Sequence, residues 1–251
     1  MFDLISIPAD MSVLTFTALI TVSLITSFIS AAIGIGGGTI MLAVLAQVLP
    51  IKAIIPIHGL VQLGSNMGRA AVLSPFIQWK YLIWFMLGCA IGVVIGGNIV
   101  IALPDHIPRI ILAVFILYSV WGPKFTSKSK ELVTLVIGGT LSSILTMFVG
   151  ATGPFVLALL KALDLPRTSL VASNAACMVI QHCLKVIVFA TLGFSFSPYL
   201  SLIGLMIFSG LIGTIIGKRV LLKVDEKKFK MAINIVLSIL ALRILLSALF
   251  Q

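Results

Sequence analysis

Apolar runs divide the chain. They fall at about 12–33, 34–49, 53–73, 79–103 and 107–121. Beyond the basic loop GPKFTSKSKE they resume at about 132–149, 150–163, 169–192, 198–217 and 231–250. None alternates apolar and polar over roughly ten residues, as a strand of a membrane barrel would. At helical rise, about 20 apolar residues cross the roughly 30 Å of hydrocarbon in a bilayer. The pattern therefore predicts an all-α polytopic membrane protein with about eight full transmembrane helices. The second and seventh runs are too short to span comfortably. Each opens on a glycine-rich break, GIGGGT at 34–39 and GATGP at 150–154. Glycine weakens a helix because it loses the most backbone freedom on ordering. A broken backbone at membrane depth must line a cavity or be covered by protein.

The layout repeats. A shift of 116 residues places Gly34 on Gly150, Gly37 on Gly153, Leu49–Pro50 on Leu165–Pro166 and Gly88 on Gly204. With four further residues inserted, Gly97 falls on Gly217 and Asp105 on Asp225. This predicts one transport domain over 1–251, built from halves at about 12–121 and 132–250 that meet in the basic loop. Cytoplasmic loops carry excess Lys and Arg. Five crossings per half put all loop cations but Lys52 and Arg109 on one side, whereas four crossings divide them less cleanly. The expectation is an inverted repeat with both termini outside. No cleavable signal is expected, because Asp3 and Asp10 precede the first run and no basic segment does.

Two runs carry polar stripes. In HGLVQLGSNMGR, His58, Gln62, Asn66 and Arg69 are spaced 4, 4 and 3, which is one helical face, with Ser65 beside it. The same shift of 116 gives NAACMVIQHCLK. Asn174 then matches His58, Gln181 matches Ser65, His182 matches Asn66 and Lys185 matches Arg69. Ionisable groups in a span cost about 2.5–3.5 kcal/mol on insertion scales and usually face the interior. A snorkelling cation is the competing reading for Arg69, which lies close to Pro75. The seven Asp and Glu all sit near termini or in loops. The interior is thus positive and rich in donors, and its natural ligand is an anion. A half-helix starting at mid-membrane turns free N–H groups and a positive dipole end toward such a ligand. The candidate binding residues are Gly36, Gly37, Gly38, Thr39, Gln62, Asn66, Arg69, Gly150, Thr152, Gly153, Asn174, Gln181 and Lys185. His58 and His182 are candidates for proton coupling.

Composition narrows the classes further. The chain has 251 residues, 60% hydrophobic and 10% charged, too apolar for a soluble fold of this size. Its net charge of +10 lies mostly in short loops and reads as orientation, not nucleic-acid binding. Cys89, Cys177 and Cys183 form no metal spacing and read as packing residues. No His–Glu metal set, GxSxG elbow or paired carboxylate is present, so no enzyme, metal or cofactor is expected. GIGGGT lacks the GK[ST] of a phosphate loop.

AAIGIGGGTIMLAVL, followed by the loop proline, and FVGATGPFVLALLKALDLPRTSLVASNA resemble the TauE/SafE sulfite exporter family over nearly the whole chain. The second motif, GATGP, lacks the triple glycine of the first. The resemblance implies a four-plus-four helix permease for a small sulfur-containing anion: sulfite, thiosulfate, sulfoacetate or a related organosulfonate. It also implies a bacterial inner membrane. The expected mechanism is secondary transport by alternating access, with oxygens held by the amides after both breaks and by Thr39 and Thr152. An inside-negative potential drives each negative charge outward by about 2.3 kcal/mol per 100 mV, which favours export. Two alternatives stay open: a permease for an unrelated anion such as a carboxylate, and a non-transporting scaffold subunit. Lipid and the anion are the expected partners, with protons as a candidate third. The sequence leaves the oligomeric state open.

Overall fold

The computed structural model describes residues 6–9, 11–33, 36–100, 104, 106–122, 132–219 and 226–249. Ten α-helices and two single 3-10 turns make up the regular structure among these residues. The first five helices are α1 (Val13–Ile33), α2 (Gly37–Val48), α3 (Ile51–Val72), α4 (Trp79–Val100) and α5 (His106–Trp121). The next five are α6 (Leu132–Val149), α7 (Gly153–Lys161), α8 (Arg167–Thr191), α9 (Leu200–Lys218) and α10 (Glu226–Leu249). The apolar runs located these helices to within a few residues. α10 starts earlier than the pattern implied, because hydropathy marks the apolar stretch and not the charged first turn Glu226–Lys230. Gly34, Asp105, Asp225 and the basic loop 123–131 lie outside the described residues.

Local chemistry sets the boundaries. Pro50 and Pro166 stand immediately before α3 and α8, where a missing N–H costs nothing. Pro75 and Pro198 sit inside the 3-10 turns that precede α4 and α9. The two short helices start at the glycine breaks. Gly36 precedes α2 with φ 101°, a backbone region that L residues rarely adopt. Gly150, with φ 73°, ends the turn after α6. At about 1.5 Å per residue, α2 is roughly 18 Å long and α7 roughly 14 Å, well short of hydrocarbon thickness.

Five helical segments are long and apolar enough to cross a membrane: α1, α4, α6, α8, and α9 with its leading turn. The protein is integral to the membrane, and its burial pattern agrees. Ser23, Thr26, Ser27 and Ser30 of α1 are buried, as are Ser142, Ser143 and Thr146 of α6. Meanwhile Ile83, Val94, Phe208 and Ile215 on α4 and α9 are exposed. A surface of large aliphatic side chains around a polar interior is what a lipid solvent selects.

The packing is reciprocal. α1 lies along α9, and α4 along α6; α3 crosses α8, and α5 pairs with α10. Glycines allow the first two pairs to approach closely. A Cβ added at Gly88 or Gly92 would overlap the α6 backbone at Val136 or Thr140, and one at Gly213 would overlap Leu24 of α1. Small residues of this kind let transmembrane helices pack backbone to backbone. Gly96 would meet Ile144 at 3.1 Å and Gly217 would meet Phe28 at 2.6 Å, and those two partners are themselves 116 residues apart. Gly96 and Gly217 thus have similar surroundings, whereas Gly97 faces Val188 and Met147. Gly204 meets nothing within 4 Å, so it does not share the environment of Gly88. The registers of α4 and α9 differ because α8 is three residues longer than α3 and the turn after it two residues longer.

Candidate functional site

α3 and α8 cross at the centre, and their polar stripes face each other there. At this crossing the His58 and His182 rings meet edge to face, with centroids 5.9 Å apart. The starts of α2 and α7 close in on the same region. Between them lies a cavity of about 40 Å³. Since one water needs about 10–15 Å³ by this measure, it has room for roughly three waters. That is also about the space of a compact oxyanion.

Ten of the sequence-derived candidates line the cavity: Gly36, Gly38, Thr39, His58, Gln62, Asn66, Arg69, Gly153, Asn174 and His182. Four further residues line it that sequence reasoning missed, namely Ser30, Ala151, Pro154 and Met178. Ser30 had a usable signal. It continues the small-polar series Ser23, Ser27, Ser30 along one face of an apolar span. Ala151 and Pro154 lie within the GATGP motif itself, and Met178 sits one turn from Asn174 and His182.

Five candidates lie outside the lining: Gly37, Gly150, Thr152, Gln181 and Lys185. Their polar groups are engaged elsewhere or face a neighbouring helix. Gly37 packs against the Thr26 carbonyl and Ser30 Oγ of α1, where a Cβ would not fit. The Thr152 hydroxyl donates to Gln181 Oε1 at 2.7 Å. Gln181 Nε2 in turn donates to Ser142 and Ser143 on α6, at 3.0 and 3.2 Å. The Lys185 ammonium donates to the Gly150 carbonyl at 2.8 Å and to Thr146 Oγ1 at 3.4 Å. It therefore fastens the second break to α8 instead of facing the cavity. Its stem runs past Gly59, where a Cβ would come within 2.9 Å of Cε.

The two halves of the site are thus unequal. Among the described residues, Arg69 is the one cation in the lining. It is 4% exposed, so it does not snorkel to a membrane surface. Its Nη1 donates to Asn66 Oδ1 at 3.2 Å. Asn66 is held in turn by its own amide, which donates to the Gln62 carbonyl at 2.8 Å. Asn66 is therefore a positioning residue for the guanidinium. Among the described residues, Arg69 Nε and Nη2 have no partner and no Asp or Glu lines the cavity. A buried cation with two open donors and no carboxylate is costly unless an anion completes it.

The helix starts differ as well. α2 begins Gly37–Gly38–Thr39, with three first-turn amides and no side-chain cap. α7 begins Gly153–Pro154, and proline has no N–H to offer. The first turn of α7 therefore offers one amide fewer than that of α2. The Gly38 carbonyl accepts from His58 Nε2 at 2.9 Å, which ties the start of α2 to α3.

Cys89 and Cys177 are buried and Cys183 is exposed, all outside the lining. No group of three or more His, Cys, Asp or Glu able to hold a metal occurs among the described residues.

A family model described as sulfite exporter TauE/SafE matches residues 19–244. No curated protein and no solved structure matches the chain. The match covers nearly the whole sequence, including both glycine breaks and both polar stripes, so the chain belongs to the TauE/SafE sulfite exporter family.

Proposed function

We propose that this member of a membrane transporter family is a secondary carrier that exports a small sulfur-containing anion by alternating access. The observation that carries the reading is Arg69, a buried guanidinium in the cavity lining, with two N–H groups unpartnered and no lining carboxylate among the described residues. Charge-assisted bonds to an oxyanion are the stronger kind and satisfy these donors. The start of α2 adds amides and a positive dipole end from the other side.

A cavity of about 40 Å³, room for roughly three waters, suits the oxyanion group that sulfite, thiosulfate and the sulfonates share. An inside-negative potential moves an anion outward without a coupling ion, which supports export. The reciprocal packing of α1 on α9 and α4 on α6 supports a domain of two inverted halves that rock about the α3–α8 crossing. In this reading the protein sits in a bacterial inner membrane with both termini outside, and α2 and α7 stop near the midplane. Protons are a candidate coupling partner through His58 and His182, which touch each other at the crossing.

The test is ligand-induced thermal stabilisation of the purified protein across sulfite, sulfate, thiosulfate, sulfoacetate, taurine and acetate. It is followed by flux into proteoliposomes under an imposed voltage. A ligand bound to the folded state raises the melting temperature with concentration. The expected result is a selective shift with sulfite or thiosulfate. A shift with acetate alone would favour a carboxylate permease, and no shift with any anion would favour a scaffold.

A further inference from the structure

Arg69 and Lys185 hold matching places in the two halves but opposite situations. The register of 116 residues holds through the structure around them. α1 ends at Ile33 and α6 at Val149, α2 starts at Gly37 and α7 at Gly153, and α3 starts at Ile51 and α8 at Arg167. One cross-helix contact is made in both halves. Ser27 and Ser65 share a hydrogen bond of 2.9 Å, and at their counterparts Gln181 Nε2 donates to Ser143 at 3.2 Å. One turn further along, the halves part. Lys185 donates to Thr146 on α6 and to the Gly150 carbonyl of the break. The counterparts of Lys185 and Thr146 are Arg69 and Ser30, and both of these line the cavity. The same seam is closed by its cation in the second half and opened onto the cavity in the first.

Helix directions relate the halves. α3 runs parallel to α9, since Gly64 meets Ile207, Gly68 meets Leu211 and Lys218 donates to the Val72 carbonyl. α1 also runs parallel to α9, with Leu24 at Gly213 and Phe28 at Gly217. α8 runs parallel to α6, with Gln181 at Ser142 and Lys185 at Thr146. It runs antiparallel to α3, because Gly59 meets Lys185 while the Gln78 amide, just past α3, donates to Ser173. α6 and α8 therefore run opposite to α1 and α3. Two halves of like sequence and opposite direction can trade conformations, and the trade presents a central site to the other side of the membrane.

Burial gives Lys185 a need for such a state. It is 0% exposed, and the oxygens it bonds are neutral. A buried ammonium held by neutral oxygens is costly, and an apolar side chain would fill the same space at less cost. The carbonyl that holds it belongs to Gly150, next to Ala151 in the cavity lining. We propose that Arg69 and Lys185 alternate as the cation of the anion site. Arg69 binds in the access state described here. Lys185, released from Gly150 and Thr146, binds in the state facing the other side of the membrane, while Arg69 closes the seam of its own half. This exchange rests on the carrier reading of the Arg69 cavity and deepens it.

The test is exchange of radiolabelled sulfite in right-side-out and inverted membrane vesicles. With the far side saturated, it gives the half-saturation concentration at each face. Arg69→Met should raise that concentration about tenfold or more at one face and leave it within about twofold at the other. Lys185→Met should do the same at the opposite face. A lysine that only fastens the second break would alter rate or stability without a difference between faces. Arg69→Met acting alike at both faces, or both variants acting at the same face, would overturn the exchange and leave the oxyanion reading intact. Unchanged half-saturation at both faces in Lys185→Met would overturn the role of Lys185. Wild-type vesicles that exchange neither sulfite nor thiosulfate would overturn the carrier reading and the exchange with it. The Arg69→Met comparison stands even where Lys185→Met fails to fold.

Discussion

Replacing Arg69 with Met separates binding from folding more sharply than any other single change. In the ligand-free protein the guanidinium makes one side-chain bond, to Asn66, and leaves Nε and Nη2 bare in a buried site. Exchanging a buried, poorly compensated charge for an apolar side chain is often neutral or stabilising, by about 1–4 kcal/mol. The unliganded variant should therefore melt at or above the wild-type temperature. Binding should move the other way. Each hydrogen bond to a charged group contributes about 1.5–3 kcal/mol. Loss of the two open donors then amounts to about 3–6 kcal/mol, or roughly 10²- to 10⁴-fold in Kd. The assay is a melting curve without ligand and a sulfite titration on the same preparation, with proteoliposome flux as a second readout. A variant that melts well below wild type yet binds sulfite with unchanged affinity would refute the argument and make Arg69 a structural residue.

Further outcomes follow from the same geometry. Asn66→Leu should weaken anion binding through Arg69, so its effect should largely vanish in an Arg69→Met background when the double-mutant cycle is measured. Gly88→Ala should destabilise by about 1–3 kcal/mol because the α6 backbone cannot yield, while Gly204→Ala should be neutral or stabilising by up to about 1 kcal/mol. Thermal unfolding of the pair checks this, and equal shifts would contradict the packing described. Gly36→Ala meets no neighbour but must hold φ near 101°, so it should cost about 1–3 kcal/mol in stability or release the start of α2, read as lost anion affinity. Proton coupling through the His58–His182 pair requires substrate flux to respond to an imposed pH gradient at fixed voltage. Flux indifferent to the gradient removes that role.

The sequence by itself determined a great deal here, for a physical reason. A bilayer imposes a strong selection on hydropathy, so the ten helices could be located from apolar runs. Backbone rules were equally legible: Pro50 and Pro166 open helices, and the glycine motifs break them. Period-3.6 spacing placed His58, Gln62, Asn66 and Arg69 on one face. It could not say which members of the two matching stripes would stay free. Lys185 and Gln181 sit at positions equivalent to Arg69 and Ser65, yet their bonds are taken by Gly150 and by Ser142 and Ser143, more than 30 residues away in the chain. Ser30 entered the cavity, and Gly88 and Gly204 parted company, through contacts of the same long-range kind. Periodicity fixes the direction in which a side chain leaves its own helix. Whether that side chain is consumed or left open depends on what the neighbouring helices place opposite it, and only the tertiary structure left two Arg69 donors open while tying Lys185 to Gly150.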